Sequence, residues 1–269
     1  TVRSSAPVTL APITFTVPAP RNITVTAPNA LGVVTLSGTR ASGTSIWYSL
    51  DGGETYTQLI SSGSATSWSH TLNLPAGSSP IMVEARMATA TVAGVDSIRS
   101  SEAVSVGTIT YTVSAPTVTA TVPTELGAVT LSGTRTSKTS IWYSLDGGET
   151  YTQLVGAGSS LSWSGTINLP VGSSEISVIA RTSAEVAGVN DTIRSSAAVS
   201  LGTITYTVPA PTVTASAPTA AGVVTLSGTR ASGTSIWYSL DDGATYVRLV
   251  DSGSATSWSG RVTLRAGSN

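Results

Sequence analysis

The stretch that decides the fold spans Gly32–Ile60 and reads "GVVTLSGTRASGTSIWYSLDGGETYTQLI". Polar and apolar residues alternate on each side of its Asp-Gly-Gly, which places Val34 and Leu36 on one face of a strand and Ile46 and Tyr48 on one face of the next. An Asp-Gly pair between two such runs is typical of a tight hairpin turn. The stretch therefore predicts half-buried antiparallel β-strands.

The same stretch occurs three times along the chain at a constant spacing of 95 residues. Its markers are "LSGTR", beginning at Leu36, Leu131 and Leu226, and "SIWYSLD", beginning at Ser45, Ser140 and Ser235. A fixed period indicates modules in series. The predicted boundaries are residues 20–115, 116–210 and 211–269, the third repeat ending before its last two strands. Because "TVRSSAPV" at residues 1–8 matches "TIRSSAAV" at 192–199, residues 1–19 are predicted to be the last strand of a preceding repeat.

Each repeat is predicted to contain seven strands, separated by clusters of Gly, Pro, Asn and Ser. In the first repeat these are "NITVTAP", "GVVTLSGT", "SIWYSL", "TYTQLI", "TSWSHTLNL", "IMVEARM" and "AVSVGTITYTV", the last bent at Gly107. Seven short strands without a helical period predict an all-β fold. We expect tandem seven-stranded antiparallel β-sandwiches, immunoglobulin-like or fibronectin type III-like, in a linear array.

Composition excludes several classes of function. Only 10% of residues are charged and the formal net charge is −1, so the chain has no basic surface for nucleic acid or anionic lipid. Cysteine is absent and His70 is the single histidine, which argues against thiolate or histidine metal sites. No apolar run is long enough to insert into a membrane. We predict no cofactor.

The turn "SLDGGETY" at residues 49–56 raises the question whether its two acidic residues form a catalytic pair or a calcium site. The third copy, "SLDDGATY", replaces Glu54 by Ala244, so a carboxylate pair is absent from one repeat. One persistent acid per turn is a poor ligand set for calcium, which takes six to eight oxygens. We therefore predict no catalytic and no metal residue, and a structural turn at Asp51, Gly53, Asp146, Gly148, Asp241 and Gly243.

Two sets of tryptophans recur in the repeats. Trp68, Trp163 and Trp258 share a strand face with apolar residues and are predicted to lie in the core. Trp47, Trp142 and Trp237 lie on the strand face opposite Ile46 and its equivalents, which leaves two alternatives. Either this strand is oriented the other way and these tryptophans belong to the core, or they are exposed for a lateral protein contact or for stacking on glycans.

The "LSGT" strands and "YSLDGG" hairpins resemble the tandem immunoglobulin-like or fibronectin type III-like repeats of large bacterial surface adhesins and fibres. The pattern Ser-x-Asp-x-Gly-x-Thr-aromatic also resembles the Asp-box hairpin of sialidases, with Tyr56 in the usual tryptophan place. The first resemblance implies non-enzymatic stalk modules. The chain departs from the calcium-stiffened members of such arrays, because its junctions, such as "TVPAPTVT", carry no acidic residues.

These observations predict a non-enzymatic structural or adhesive segment of an extracellular filament or a long cell-surface adhesin. Proline-rich junctions with few flexible residues favour a stiff extender or an assembly unit. The alternatives are an array of carbohydrate-binding modules and a phage fibre or tail decoration. The expected partners are further copies of the chain, with polysaccharide or a host or cell surface as the other candidates, and the expected location is extracellular or on the cell surface.

Overall fold

The computed structural model describes residues 5–92 and 95–267, with the backbone alone at 90–92, 95–96 and 190–191. Residues 5–20 contain no regular secondary structure, although Val17 and Pro20 are buried. Residues 1–4, which belong to the predicted strand of a preceding repeat, and residues 268–269 of the third repeat lie outside the described part. The assignment of residues 1–19 to a preceding repeat remains a prediction.

The described residues form an all-β fold built from antiparallel strands. The seven strands predicted for the first repeat are present, and β7 is an additional one. The strands are β1 Arg21–Val25, β2 Val33–Thr39, β3 Ser45–Ser49, β4 Thr57–Ile60, β5 Ser67–Asn73, β6 Gly77–Val92, β7 Val95–Ser100 and β8 Val104–Tyr111.

The second repeat has the same eight strands and the third repeat has the first five of them. In the second they are β9 Thr119–Ala120, β10 Ala128–Thr134, β11 Ser140–Ser144, β12 Thr152–Val155, β13 Ser162–Asn168, β14 Gly172–Val186, β15 Val189–Ser195 and β16 Val199–Tyr206. In the third they are β17 Thr214–Ala215, β18 Val223–Thr229, β19 Ile236–Tyr238, β20 Val247–Val250 and β21 Ser257–Thr263.

Each of the first two repeats is a sandwich of a three-stranded and a five-stranded sheet. In the first repeat, β1, β2 and β5 form one sheet, and β4, β3 and β6 begin the other. The first half of β6 pairs with β8, and its second half extends further and pairs with β7. The register of β6 with β8 shifts at Gly107, whose φ is 111°, so the predicted bend is a β-bulge.

The core lies between the two sheets and follows the predicted alternation. Val34 and Leu36 from one sheet and Ile46, Ile81 and Val83 from the other are 0% exposed. The core tryptophans predicted from the sequence are also buried: Trp68, Trp163 and Trp258. Burial of such side chains stabilises each sandwich by roughly 2 kcal/mol per large residue.

The chain forms two compact units that do not coincide with the sequence repeats. Unit 1 comprises Thr1–Val113 and Thr182–Ser195, and unit 2 comprises Ser114–Arg181 and Ser196–Asn269. The outer part of the hairpin β14–β15, which belongs to the second repeat by sequence, is therefore part of unit 1.

Lys138 provides a test of backbone strain within the repeats. Its φ is 64°, whereas the equivalent positions of the other repeats are Gly43 and Gly233, each with a φ of 81°. Because glycine adopts this conformation without steric cost, we expect Lys138→Gly to raise the free energy of unfolding of the second repeat by about 1 kcal/mol. The midpoint of guanidinium denaturation measures this change. At Gly43 an added Cβ would meet no atom within 4 Å. We therefore expect Gly43→Lys to lower the free energy of unfolding of the first repeat, and an increase in this free energy would refute the explanation.

Candidate functional site

The three copies of the Asp-Gly stretch form the same hydrogen-bonded loop, called here the acidic turn (residues 49–56, 144–151 and 239–246). In the first copy, Ser49 Oγ donates to Asp51 Oδ1 and accepts from the backbone N–H of Gly53 at 2.8 Å. Asp51 Oδ1 accepts from the N–H groups of Glu54 and Thr55, each at 3.0 Å, and its Oδ2 accepts from the Thr55 hydroxyl. The carboxylate is therefore occupied by its own loop.

The contacts of the serine hydroxyl, the threonine N–H and the threonine hydroxyl recur at Asp146 and Asp241. The glycines of the turns have positive φ angles, of 105° at Gly53, 108° at Gly148 and 88° at Gly243. All six predicted turn residues thus lie in a tight loop in which the acid binds backbone and hydroxyl donors.

Hydrogen bonding controls the ionisation of these aspartates. The hydroxyls of Ser49 and Thr55, followed by the Thr55 backbone N–H, hold the pKa of Asp51 well below its usual range. Asp146 has the same partners in its own turn and a similarly low pKa. In the third copy, the hydroxyls of Ser239 and Thr245 lower the pKa of Asp241 to about 2. Each acidic turn therefore favours the charged carboxylate.

Removing one acidic-turn carboxylate should loosen the hairpin without altering the fold. We expect Asp146→Ala to lower the melting temperature by a few degrees at neutral pH, because loop N–H and hydroxyl donors lose their acceptor. A carboxyl group whose pKa is lowered by folding stabilises the folded state at pH values above its unfolded-state pKa, which is about 4 for aspartate. This stabilisation is lost as the pH falls through the folded-state pKa. The difference in melting temperature between the wild type and the variant should therefore shrink below about pH 4. Thermal melts from pH 7 to pH 2 measure this difference. A difference that stays constant over this range would contradict the proposed role of the carboxylate.

Metal binding has little support in the acidic turns. Residues 5–92 and 95–267 contain no group of three His, Cys, Asp or Glu side chains that could hold an ion. We expect EDTA to leave the melting temperature of the chain unchanged, since each turn satisfies its carboxylate with internal donors. A drop of several degrees, restored by added calcium, would show that ions bind.

The tryptophans that the sequence left as either core or exposed residues lie between these two alternatives in the first repeat. Trp47 is half-buried on the outer face of its sheet, and its indole N–H donates to Ser45 Oγ at 3.0 Å. The Arg86 guanidinium lies 4.2 Å from the centre of the Trp47 ring and 5.3 Å from that of Tyr56. This arginine also forms an ion pair with the buried carboxylate of Glu84. Arginine therefore covers a ring that is neither core nor fully exposed.

The second repeat reproduces this stack and the third does not. The Arg181 guanidinium lies 4.5 Å from the Trp142 ring centre and 5.4 Å from that of Tyr151. In the third repeat Trp237 is 52% exposed, and the nearest stacked cation, Arg248, is 5.9 Å from its ring centre. The strand that carries Arg86 and Arg181 has no counterpart within residues 211–269, which accounts for the greater exposure of Trp237.

The arginine that ends each "LSGTR" was not predicted as a structural residue. Arg40, Arg135 and Arg230 are each 8% exposed. Arg135 donates through Nε to Ser160 O at 3.1 Å and through Nη1 to Thr139 O at 2.7 Å and Gly156 O at 2.6 Å. Arg40 and Arg230 bind the equivalent carbonyls of their own repeats. We call this three-carbonyl contact the arginine clamp.

A second contact missed from the sequence lies within unit 1, where the hairpin residues 182–195 cover the first repeat. Near the turn of the hairpin, Asn73 Nδ2 donates to Glu185 O at 3.0 Å and Thr57 Oγ1 donates to Ala187 O at 3.3 Å. Val186 and Tyr48 are 8% and 6% exposed. Burial, followed by the negative charge of Glu185, raises the pKa of Tyr48.

Arg194 fixes the other end of this hairpin to the first repeat. Its Nη1 donates to Leu31 O at 2.8 Å and to Leu74 O at 3.0 Å, and its guanidinium lies 5.2 Å from the centre of the Tyr111 ring. The residue is 2% exposed, and desolvation lowers its pKa. We call the contacts of residues 182–195 with the first repeat the hairpin clasp.

Comparisons with known proteins add no family. No protein-family model and no curated protein matches the chain. Among solved structures, a marsupial T cell receptor is 12% identical, with a TM-score of 0.32 over 90% of this chain and 93% of the other. The FN1–FN3 domains of chicken CNTN1 are 11% identical, with a TM-score of 0.23 over 90% of this chain and 87% of the other. No helix in the described ranges, 5–92 and 95–267, is long and apolar enough to cross a membrane.

Proposed function

We propose that this chain is a non-enzymatic structural or adhesive segment of an extracellular filament or long cell-surface adhesin, in which it acts as a stiff extender or assembly unit. The hairpin clasp carries the proposal. Residues 182–195, which belong to the second repeat by sequence, are held on the first repeat by the buried Arg194 and by hydrogen bonds near the hairpin turn. A packed segment shared by consecutive repeats suits a stiff extender or an assembly unit.

The hydrogen bonds of the repeated aspartates and arginines support a structural role, because these side chains bind groups of their own repeats. The acidic turns bind their own loops and the arginine clamps bind backbone carbonyls of the same repeat. A hydrolytic carboxylate pair would need two acids facing one substrate. In the third repeat the second acid is replaced by Ala244, so the repeated feature is the turn and not a pair.

Electron microscopy of the native material tests the proposal directly. Ordered filaments with an axial repeat that is a multiple of one sandwich length, on the order of 40 Å, would support an assembly unit. Separate thin rods would support an extender, and would place any adhesive tip elsewhere in the assembly. Isolated compact particles, with neither form present at the native concentration, would contradict both roles.

A carbohydrate-binding array is the second candidate function, and the recurrence of Trp47, Trp142 and Trp237 at equivalent positions of the three repeats is the observation behind it. An indole face that a ligand can reach is a surface on which sugar rings stack. Glycan binding through these rings predicts that the wild-type chain binds to an immobilised polysaccharide panel and that replacing all three tryptophans by alanine abolishes this binding. No binding by the wild-type chain, or unchanged binding by the triple variant, would remove this candidate. Phage fibre or tail decoration differs from an adhesin in its source, which identification of the particle carrying the chain would settle.

A further inference from the structure

Each of the first two acidic turns contains an Asp-Gly dipeptide, Asp51–Gly52 in the first repeat and Asp146–Gly147 in the second. Aspartate converts to isoaspartate most readily before glycine, because glycine has no side chain to hinder the approach of its nitrogen to the aspartate carboxyl group. Residues 45–59 and 140–154 have the same sequence, so the two dipeptides have the same intrinsic reactivity. The structure around them therefore determines how fast they react.

Isoaspartate forms in two steps that place specific demands on both residues. The glycine nitrogen attacks the aspartate Cγ, a bond forms between these two atoms, and the carboxyl hydroxyl group leaves with the proton of the nitrogen as water. A second water then opens the resulting five-membered succinimide, and opening at the aspartate main-chain carbonyl leaves the backbone running through Cγ. The first step needs a carboxyl group that is free to rotate and protonated, and a nitrogen whose proton solvent can remove.

The acidic turn restrains the carboxyl group of the aspartate. In the second repeat, Asp146 Oδ1 accepts from the Ser144 hydroxyl and, at 3.0 Å, from the Thr150 N–H, while its Oδ2 accepts from the Thr150 hydroxyl. A rotation of the side chain toward the next peptide nitrogen breaks these bonds. The hydroxyls of Ser144 and Thr150 also hold the pKa of Asp146 well below its usual range, so the protonated form is rare at neutral pH.

The attacking nitrogen is bonded as well. The Gly147 N–H donates to Glu175 O on β14 at 3.0 Å, and the Gly52 N–H donates to Pro80 O on β6 at 3.2 Å. Solvent can remove this proton only after the hydrogen bond opens. A Cβ on Gly147 would lie 2.9 Å from Glu175 Oε2. The space that glycine normally leaves open is therefore occupied by the Glu175 side chain.

We propose that the acidic turns of the first two repeats protect Asp51 and Asp146 from conversion to isoaspartate, by binding the carboxylate and the attacking N–H to separate partners. Both aspartates are then modification sites that react only when their turn opens. Isoaspartate lengthens the main chain by one carbon atom, which alters the spacing on which the bonds between the turn serine, aspartate and threonine depend. The protection applies whether or not the chain assembles into filaments.

A long incubation of the full chain near pH 7 tests this protection. Wild type is kept either folded in buffer or unfolded in guanidinium chloride, and the aspartate and isoaspartate forms of each proteolytic peptide are separated by chromatography. Ser144→Ala and Thr150→Val each remove a hydroxyl donor to Asp146 and leave the identical turn of the first repeat unchanged. Thr203→Val, at an exposed position on β16, is the control. Thermal melts confirm that each variant is folded at the incubation temperature.

We expect folded wild type to form isoaspartate at Asp51 and Asp146 at least tenfold more slowly than the unfolded chain. Ser144→Ala and Thr150→Val should each raise the rate at Asp146 severalfold without changing the rate at Asp51, and Thr203→Val should change neither. Equal rates in folded and unfolded wild type would overturn the inference. Folded variants that react no faster at Asp146 would also overturn it, because the carboxylate donors would then not be the source of the protection.

Discussion

Replacing Arg135 by alanine is expected to lower the free energy of unfolding of the second repeat by about 3 to 5 kcal/mol. The guanidinium donates three hydrogen bonds to the carbonyls of Thr139, Gly156 and Ser160, and it is 8% exposed. Alanine leaves these carbonyls without their donor and opens a cavity where the side chain lay. The two loops that this arginine and the backbone hydrogen bonds of Arg135 and Lys138 connect then separate more readily.

A lysine at position 135 distinguishes the contribution of the positive charge from that of the guanidinium shape. Arg135→Lys keeps the positive charge but lacks the rigid fork that reaches three carbonyls, so we expect it to recover less than half of the loss. Hydrogen exchange of the amides of Arg135 and Lys138, which donate to carbonyls across the two loops, reports the opening locally. Arg261→Lys on the exposed face of β21 is the control. Full recovery by lysine would show that charge alone stabilises the loops.

Replacing Arg194 by alanine is expected to release the hairpin clasp at a cost of about 3 kcal/mol. The side chain is 2% exposed and supplies hydrogen bonds to the carbonyls of Leu31 and Leu74. Without it the hairpin should detach from the first repeat while β14 keeps its pairing with β11. Peptides covering residues 182–195 should then exchange their amide hydrogens at least tenfold faster.

Tyr48 provides a second readout of the same release. Burial under the hairpin raises the pKa of its phenol, with Glu185 adding to the effect. In Arg194→Ala the titration of this tyrosine should move down toward the ordinary value of about 10. Difference absorbance follows the phenolate, and Arg21→Ala, at an exposed position of the same unit, is the control. An unchanged exchange rate and an unchanged titration would show that Arg194 does not hold the hairpin.

The sequence predicted the sandwich strands and the acidic turns because both depend on local rules. Alternation assigned Ile46 to the core, and the spacing of Ser49, Asp51 and Gly53 is specific to a turn in which an acid binds its own loop. The replacement of Glu54 by Ala244 indicated that the repeated feature is the turn around the aspartate and not a pair of carboxylates. Because these short-range patterns recur in every copy, the strands and turns predicted for one repeat apply to all three repeats.

The arginine clamp escaped prediction because charged residues are expected at the surface unless an ionic partner is visible. Arg135 has no such partner among its bonded groups, which are backbone carbonyls that every residue carries. The recurrence of arginine after "LSGT" was the available signal. An arginine that recurs in each copy at the end of a buried strand indicates a structural contact.

The hairpin clasp could not be derived from the sequence because the arginine that forms it and its counterpart in the first repeat have the same local sequence. Arg99 and Arg194 both lie in "IRSS", yet one bonds its own hairpin at Ala88 and the other is buried against Leu31 and Leu74. The strand β7 was missed for a related reason, since Ile98 faces solvent and breaks the expected alternation. Tertiary context, not local propensity, distinguishes the two arginines.

The arginine clamps also determine how the repeats should tolerate an acidic environment. Their acceptors are backbone carbonyl oxygens, which take up no proton at any ordinary pH. Acid that neutralises the carboxylates of the turns therefore leaves the loop-to-loop contacts of all three arginine clamps in place. Repeats of this kind would keep these contacts at a pH at which proteins that depend on carboxylate ion pairs unfold.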